Sequence, residues 1–138
     1  MLKWFSKSMQ TNFSVQFEKF AESHYIKGFE KKYKSHWDTT KKAIIAALER
    51  IDALLLTDRA ETISVKGDLK LIKTKFRVDG TKESAKTSGN RCIVVCDTKN
   101  RDVVVLLVYG KTDLSGHNET AEWQIIIRDN YPEYCHLF

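Results

Sequence analysis

Basic residues stand at every second position of "LIKTKFRV", residues 71–78, where they are Lys73, Lys75 and Arg77. Side chains at alternate positions of a β-strand share one face, so these cations would line up opposite an apolar strip. Arg91 opens a second apolar run after a Gly-containing loop, which would bring a fourth cation close to Arg77. Crowded cations repel one another by roughly 1–2 kcal/mol per pair at an intermediate dielectric, and a bound phosphate relieves that repulsion. The spacing therefore indicates a phosphate-handling face.

This crowding also has a chemical consequence. Neighbouring cations disfavour the protonated form of a lysine, so a neutral amine becomes more accessible as a base. A solvated edge strand that uses lysines to keep other chains away is the alternative interpretation of the same pattern.

Helical periodicity dominates the N-terminal half of the chain. Apolar residues spaced by three and four predict a helix over residues 15–33, which a brief strand at 13–17 could precede, and a second helix over 40–56. Near the C-terminus, Asn118 is a candidate cap for a helix that reaches residue 128.

After Glu61 the period changes to two, which is typical of strands. We expect one α+β domain over residues 1–138, with two N-terminal helices packed on a small antiparallel β-sheet and a C-terminal helix. The predicted strands cover residues 69–78, 91–98 and 103–109.

Composition narrows the class of protein. The net charge of +5 favours a polyanionic partner, and the longest apolar run has only the length of a strand, so we expect a cytoplasmic protein without a membrane segment. The three Cys lack CxxC spacing and the four His are dispersed, so neither a disulfide framework nor a metal site is expected. Cys92 and Cys96 should be buried free thiols.

Three segments, "KTKFRV", "KTSGNRCIVV" and "VVVLLVYGKTDLSG", together resemble the RelE/ParE superfamily of bacterial type II toxins. In that family a strand of alternating Lys and Arg leads into a Ser-Gly turn with an arginine. A hydrophobic central strand that ends in a YxK-like segment follows, and then a short C-terminal helix. The resemblance covers residues 13–123 and is most specific in "SGNR" and "VYGKTDLS". It implies a RelE-like fold.

The resemblance also implies a chemistry. Ribosome-dependent members cut mRNA without metal or cofactor, by attack of the 2′-hydroxyl on the adjacent phosphate. The family's basic positions fall here on Lys73, Lys75, Arg77 and Arg91. Proton transfer would fall to Lys75 or Lys73, while the two arginines would stabilise the charge of the phosphorane, since a guanidinium makes bidentate phosphate contacts.

The general acid stays open at this point. His117, Tyr131 and Tyr134 are all candidates, and His117 is favoured by the near-neutral titration of histidine. Some members carry an arginine where this chain has Thr112.

Three more lysines are candidates for contacts to the RNA backbone. Lys82 and Lys86 lie in the loop over residues 79–90, and Lys111 follows the third strand at a position that matches the family.

Taken together, the resemblance implies a toxin that cleaves mRNA on the ribosome and is silenced by a cognate antitoxin protein. Two alternatives remain. One is a ParE-like inhibitor of DNA gyrase, which needs no cationic catalytic face. The other is a non-catalytic RNA-binding relic of the same fold, which the substitution at Thr112 keeps open.

Overall fold

The computed structural model describes residues 12–114 and 118–138. At its centre lies a five-stranded β-sheet in which the strands follow the order β1-β5-β4-β3-β2. Strands β2 to β5 form an antiparallel meander, and β1 pairs parallel to β5. The strands are β1 Ser14–Phe17, β2 Ala60–Lys66, β3 Leu69–Lys75, β4 Arg91–Asp97 and β5 Asp102–Tyr109.

Helices flank the sheet on both sides. In the last long helix, the side chain of Asn118 accepts a hydrogen bond of 3.1 Å from the backbone N–H of Ala121, as an N-cap does. A 3-10 helix, Pro132–Leu137, follows. The α-helices are α1 Lys19–Ser23, α2 Ile26–Tyr33, α3 Ser35–Glu49, α4 Ile51–Leu54, α5 Ala85–Ser88 and α6 Glu119–Asn130.

One face of the sheet packs against α2 and α3. Trp37 of α3 is 1% exposed, and its ring stacks on Phe29 of α2 with 4.9 Å between ring centroids. Phe76, which follows β3, approaches both rings. Alternate residues of β3 and β4, such as Ile72 and Val94, complete this core. The stripe of apolar residues on α3 is buried in this way.

The opposite face packs against α6 and the 3-10 helix. Trp123 and Ile127 of α6 are fully buried against Leu71, Ile93 and Leu107 of the sheet. Because β4 and β5 are covered on both faces, their side chains are apolar at successive positions rather than at alternate ones.

The predicted meander and C-terminal helix are present, whereas the two predicted N-terminal helices are divided into four, α1 to α4. The prediction of a purely antiparallel sheet is wrong at one edge, where β1 runs parallel to β5. There, Val15 and Phe17 pair with Val103 and Val105, so tertiary pairing takes the first part of the segment predicted as helix. The strand at 13–17 that was expected as an option is therefore correct.

Other boundaries shift as well. The strand predicted over residues 69–78 ends at Lys75, and the helix predicted over 40–56 begins at Ser35 and ends at Glu49. The loop over residues 79–90 contains the short helix α5, which Ser84 caps through its hydroxyl. Within the described ranges, no helix has the length and apolarity needed to cross a membrane.

Candidate functional site

The last row of the sheet brings two of the predicted site residues together. Lys75 of β3 lies directly opposite Arg91 of β4, so both side chains project from the same face, toward the α6 layer. Lys73, two residues earlier, shares that face. We call Lys73, Lys75 and Arg91 the cationic face. Lys75 and Arg91 are both partly exposed and therefore within reach of a ligand.

Lys73 already has counterions within the chain. Its ammonium nitrogen lies 3.6 Å from Glu61 Oε1, on the neighbouring strand β2, and 4.0 Å from Glu119 Oε2, in the first turn of α6. The side chain of Lys73 is only 17% exposed. The repulsion expected among aligned cations is thus relieved at Lys73 by carboxylates of the chain itself.

Tyr109 completes the row. It lies opposite Arg91 on β5, and its hydroxyl donates a hydrogen bond of 2.6 Å to Glu119 Oε2. Burial raises the pKa of Tyr109 far above its usual value, and the hydrogen bond and charge of Glu119 raise it further. The phenol therefore stays protonated and acts as a permanent donor to Glu119.

Arg91 also donates hydrogen bonds to backbone carbonyls of the segment that precedes β4. Its Nη1 donates to the carbonyl oxygens of Ala85 and Asn90 at 3.2 and 2.9 Å, and its Nη2 donates to that of Lys86 at 3.2 Å. These bonds join Arg91 to two residues of α5, Ala85 and Lys86, and to the carbonyl of Asn90, which also accepts from the backbone N–H of Phe76. A guanidinium carries five N–H donors, so two of them remain for a ligand once these three bonds to the described part of the chain are counted.

Arg77 lies beyond the end of β3 and is exposed. Its Nη2 donates a hydrogen bond of 2.7 Å to the carbonyl oxygen of Thr81, so the guanidinium folds onto the loop before α5. It is near the cationic face in sequence but does not continue its row.

The remaining predicted residues are scattered. Lys82 and Lys86 are exposed in the segment between β3 and β4, and Lys111 is exposed after β5. Lys111 packs over Gly89, where an added Cβ would lie 2.7 Å from Lys111 Cβ. His117 lies outside the described residues.

The two tyrosines considered as acids are poorly placed for that role. The hydroxyl of Tyr131 donates a hydrogen bond of 2.7 Å to the carbonyl oxygen of Leu106, a fully buried residue of β5. Burial is the largest cause that raises the pKa of both Tyr131 and Tyr134. Neither hydroxyl belongs to the row formed by Lys75, Arg91 and Tyr109.

The structure confirms the prediction made for two of the cysteines. Cys92 and Cys96 are buried free thiols, and Cys135 is exposed. Among the residues with described positions, no group of three or more His, Cys, Asp and Glu side chains could hold a metal ion.

A cleft of about 270 Å³ opens beside the cationic face, at the same end of the sheet. It lies between α2, the segment before β4 and the residues that follow β5. Asn90 and Gly110, each one residue beyond the paired Arg91 and Tyr109, line it together with Lys111.

Sequence reasoning missed Glu61, Tyr109 and Glu119. Glu61 opposes Lys73 only in the observed register of β2 and β3. Tyr109 ends an apolar strand, which marks its position but not its partner. Glu119 was predicted to begin a capped helix, yet its contact with Lys73 depends on how that helix docks on the sheet.

No known protein-family model matches the sequence, and no curated protein matches it significantly. The structure is similar to a chain in the crystal structure of the archaeal RelE–RelB complex from Pyrococcus horikoshii OT3. The TM-score is 0.50 and the sequence identity 14%, over 75% of this chain and 99% of that chain. The chain thus has a RelE-like fold.

Proposed function

We propose that the protein is the toxin of a type II toxin–antitoxin system, a ribosome-dependent endoribonuclease that cleaves mRNA by metal-independent acid–base chemistry. The observation that carries the proposal is the pairing of Lys75 with Arg91 on a partly exposed face of a RelE-like sheet. An arginine with free N–H donors beside a lysine is suited to one phosphodiester.

In the proposed reaction, the 2′-oxygen forms a bond to phosphorus while the bond to the 5′-oxygen breaks. Lys75 takes the proton from the 2′-hydroxyl, and Arg91 donates its remaining N–H groups to the charged phosphoryl oxygens. His117 stays our candidate for the acid that protonates the 5′-oxygen.

Lys73 has a different part from the one expected. Because its ammonium group is paired with Glu61 and Glu119, we assign it a fixed positive charge near the phosphate rather than proton transfer. Arg77, Lys82, Lys86 and Lys111 add contacts to the RNA backbone around the site, and their exposure supports this role.

The proposed partners are a cognate antitoxin protein, the ribosome and mRNA. The fold neighbour was crystallised as a RelE–RelB complex, which supports an antitoxin partner. The net charge of +5 is compatible with both an acidic antitoxin segment and RNA.

A non-catalytic RNA-binding protein is the second candidate. It is favoured by the carboxylates that neutralise Lys73 and by the three carbonyl contacts that hold Arg91. Such a protein would bind RNA through the same face without cleaving it.

The test is induction of the gene in a bacterial host, with pulse labelling of new protein and mapping of mRNA 5′ ends. We expect translation to stop first and new mRNA ends to appear, and Lys75→Ala to abolish both. Lys66→Ala, an equal loss of charge at the exposed far end of β2, serves as the matched control. Arrest of translation without new mRNA ends would favour the second candidate, and an early DNA-damage response would favour a gyrase inhibitor.

A further inference from the structure

Aromatic side chains line the cleft at the end of β4 and β5. Tyr25, Phe29 and Tyr33 of the α2 region all line it. Phe29 is held in place by Trp37 on one side, at 4.9 Å between ring centroids, and by Tyr33 at 6.1 Å. Because Phe29 is itself buried, the half-buried rings of Tyr25 and Tyr33 are the surfaces on which an unpaired base of single-stranded RNA can stack.

The floor of the cleft is polar and lies at Gly110. A Cβ on this residue would come within 3.2 Å of Asp113 Oδ2 and of Phe29 Cζ, and within 3.3 Å of Asn90 Oδ1. The glycine therefore keeps the floor open where an amide and a carboxylate converge. Asp113 Oδ2 accepts a hydrogen bond of 2.6 Å from the backbone N–H of Gly110, and a carboxylate has a second oxygen with which to accept from a ligand.

Charge divides the cleft into a floor and a rim. Asp113, at the floor, and Glu83 both carry carboxylates and line the cleft, which disfavours a phosphate inside. Lys32 and Lys111 line the cleft as well, and both are exposed. A nucleotide would satisfy this arrangement if its base entered and its phosphate stayed at the lysines.

The cleft and the cationic face lie at the same end of the sheet. Arg91 and Tyr109 are paired across β4 and β5, and the next residues at that end, Asn90 and Gly110, belong to the cleft. Successive residues of a strand project to opposite faces, so the two sites lie on either side of the same sheet end. An RNA strand that crosses this edge can place a phosphate at Arg91 and a neighbouring base in the cleft.

We infer that the cleft binds one base of single-stranded RNA and selects a base that carries an exocyclic amino group. This inference rests on the proposed function, because it makes the cleft a specificity site for the same RNA. Adenine, cytosine and guanine can donate an amino N–H to Asp113 or Glu83. Uracil has no amino group, and its one donor on that edge, N3–H, is flanked by two carbonyl oxygens that the same carboxylates repel. The cleft should therefore discriminate against uracil.

The test uses the full chain and short, fluorescently labelled 2′-O-methyl oligonucleotides, in which the blocked 2′-oxygen prevents cleavage. Fluorescence polarisation compares an all-cytosine with an all-uracil tetranucleotide. We expect cytosine to bind about fivefold tighter or more, within the range of one base contact. Tyr33→Leu, which keeps apolar volume but removes the stacking ring, should weaken binding of both by about tenfold.

Asp113→Asn is the decisive variant. An asparagine keeps an oxygen for the N–H of Gly110 and offers N–H donors to uracil, so the preference for cytosine should fall below about twofold. Lys111→Ala should weaken both oligonucleotides and reduce the salt slope of binding by about one. Lys99→Ala removes the same charge from the exposed turn at the opposite end of the sheet and should change neither value.

The possible failures are distinct. Equal binding of cytosine and uracil, an unchanged preference in Asp113→Asn, or no binding at millimolar concentration would overturn the base site, even where mRNA cleavage in cells stands. A preference that Asp113→Asn removes, in a protein that cleaves no mRNA, would support the base site and overturn the nuclease. Amide shifts at Asn90 and Gly110 caused by an antitoxin and not by RNA would assign the cleft to a protein partner and overturn the inference.

Discussion

The hydroxyl of Tyr109 donates a 2.6 Å hydrogen bond to Glu119 Oε2 and thereby joins the last residue of β5 to the first turn of α6. The same carboxylate oxygen lies 4.0 Å from the ammonium nitrogen of Lys73 on β3. Glu119 thus connects α6 to the sheet through the neutral hydroxyl of Tyr109 and to the cationic face through the charged ammonium group of Lys73.

Tyr109→Phe should lower the free energy of unfolding by about 1–2 kcal/mol, because a buried donor to a carboxylate is lost while the ring is kept. Urea unfolding measures the change. Tyr33→Phe, which removes a hydroxyl from a half-buried ring, is the control and should cost less. If the effects of Tyr109→Phe and Glu119→Gln simply added in the double variant, the two side chains would not interact.

Glu61→Gln and Glu119→Gln should each strengthen binding of single-stranded RNA. Both carboxylates compete with phosphate for Lys73, so neutralising either one frees positive charge. The slope of log affinity against log salt concentration should steepen by up to about one in each variant. Asp68→Asn, an exposed acid in the turn between β2 and β3, is the charge-matched control. An unchanged slope in both variants would show that Lys73 makes no phosphate contact.

Arg91→Lys should loosen the end of α5 while keeping a positive charge. A lysine cannot reproduce the three carbonyl contacts that Arg91 makes with Ala85, Lys86 and Asn90. Faster amide hydrogen exchange over residues 85–90 is the expected result, with exchange in β2 unaffected. Uniformly unchanged exchange would mean that these contacts do not hold the segment.

Substitution by alanine should lower stability at one glycine and raise it at another. Gly89 has a φ of +73°, and its added Cβ would approach Lys111 Cβ to 2.7 Å, so Gly89→Ala should cost about 1–3 kcal/mol of stability. Gly28 lies inside α2, and its added Cβ would meet nothing within 4 Å, so Gly28→Ala should add about 0.5–1 kcal/mol. Thermal unfolding of both variants measures the difference, and equal signs would contradict the backbone geometry.

Stability should fall as the pH rises above about 9. Burial raises the pKa of Cys92 from 9.0 to about 12 and that of Cys96 to about 11. Above pH 9.0 the unfolded thiols lose protons that the folded ones keep, so alkaline conditions favour unfolding. Cys92→Ala should flatten this dependence in urea unfolding, whereas Cys135→Ala, at an exposed position, should leave it intact. A flat profile in the parent protein would contradict the burial of both thiols.

Much of this architecture could be predicted from local patterns. Alternation in β3 and β4 predicted that Lys73 and Lys75 share a face with Arg91, and Asn118 marked the start of α6. Local patterns failed at β1, because Val15 and Phe17 fit both a helical and an alternating period until β5 pairs with them.

The contacts of Glu61 and Glu119 with Lys73 could not be predicted from local patterns, for a similar reason. The register of β2 and the docking of α6 bring Glu61 and Glu119 to Lys73, and both depend on long-range packing. The position of Arg77 depends on its contact with Thr81, which an idealised strand through residue 78 does not predict.

The parallel pairing of β1 with β5 has a consequence for synthesis of the chain. The side chain of Ser14 donates a hydrogen bond to Asp102, 88 residues later. A nascent chain therefore holds Val15 and Phe17 unpaired until β5 has left the exit tunnel, and closing so long a loop slows folding. During that interval Val15 and Phe17 are exposed apolar side chains to which a chaperone can bind.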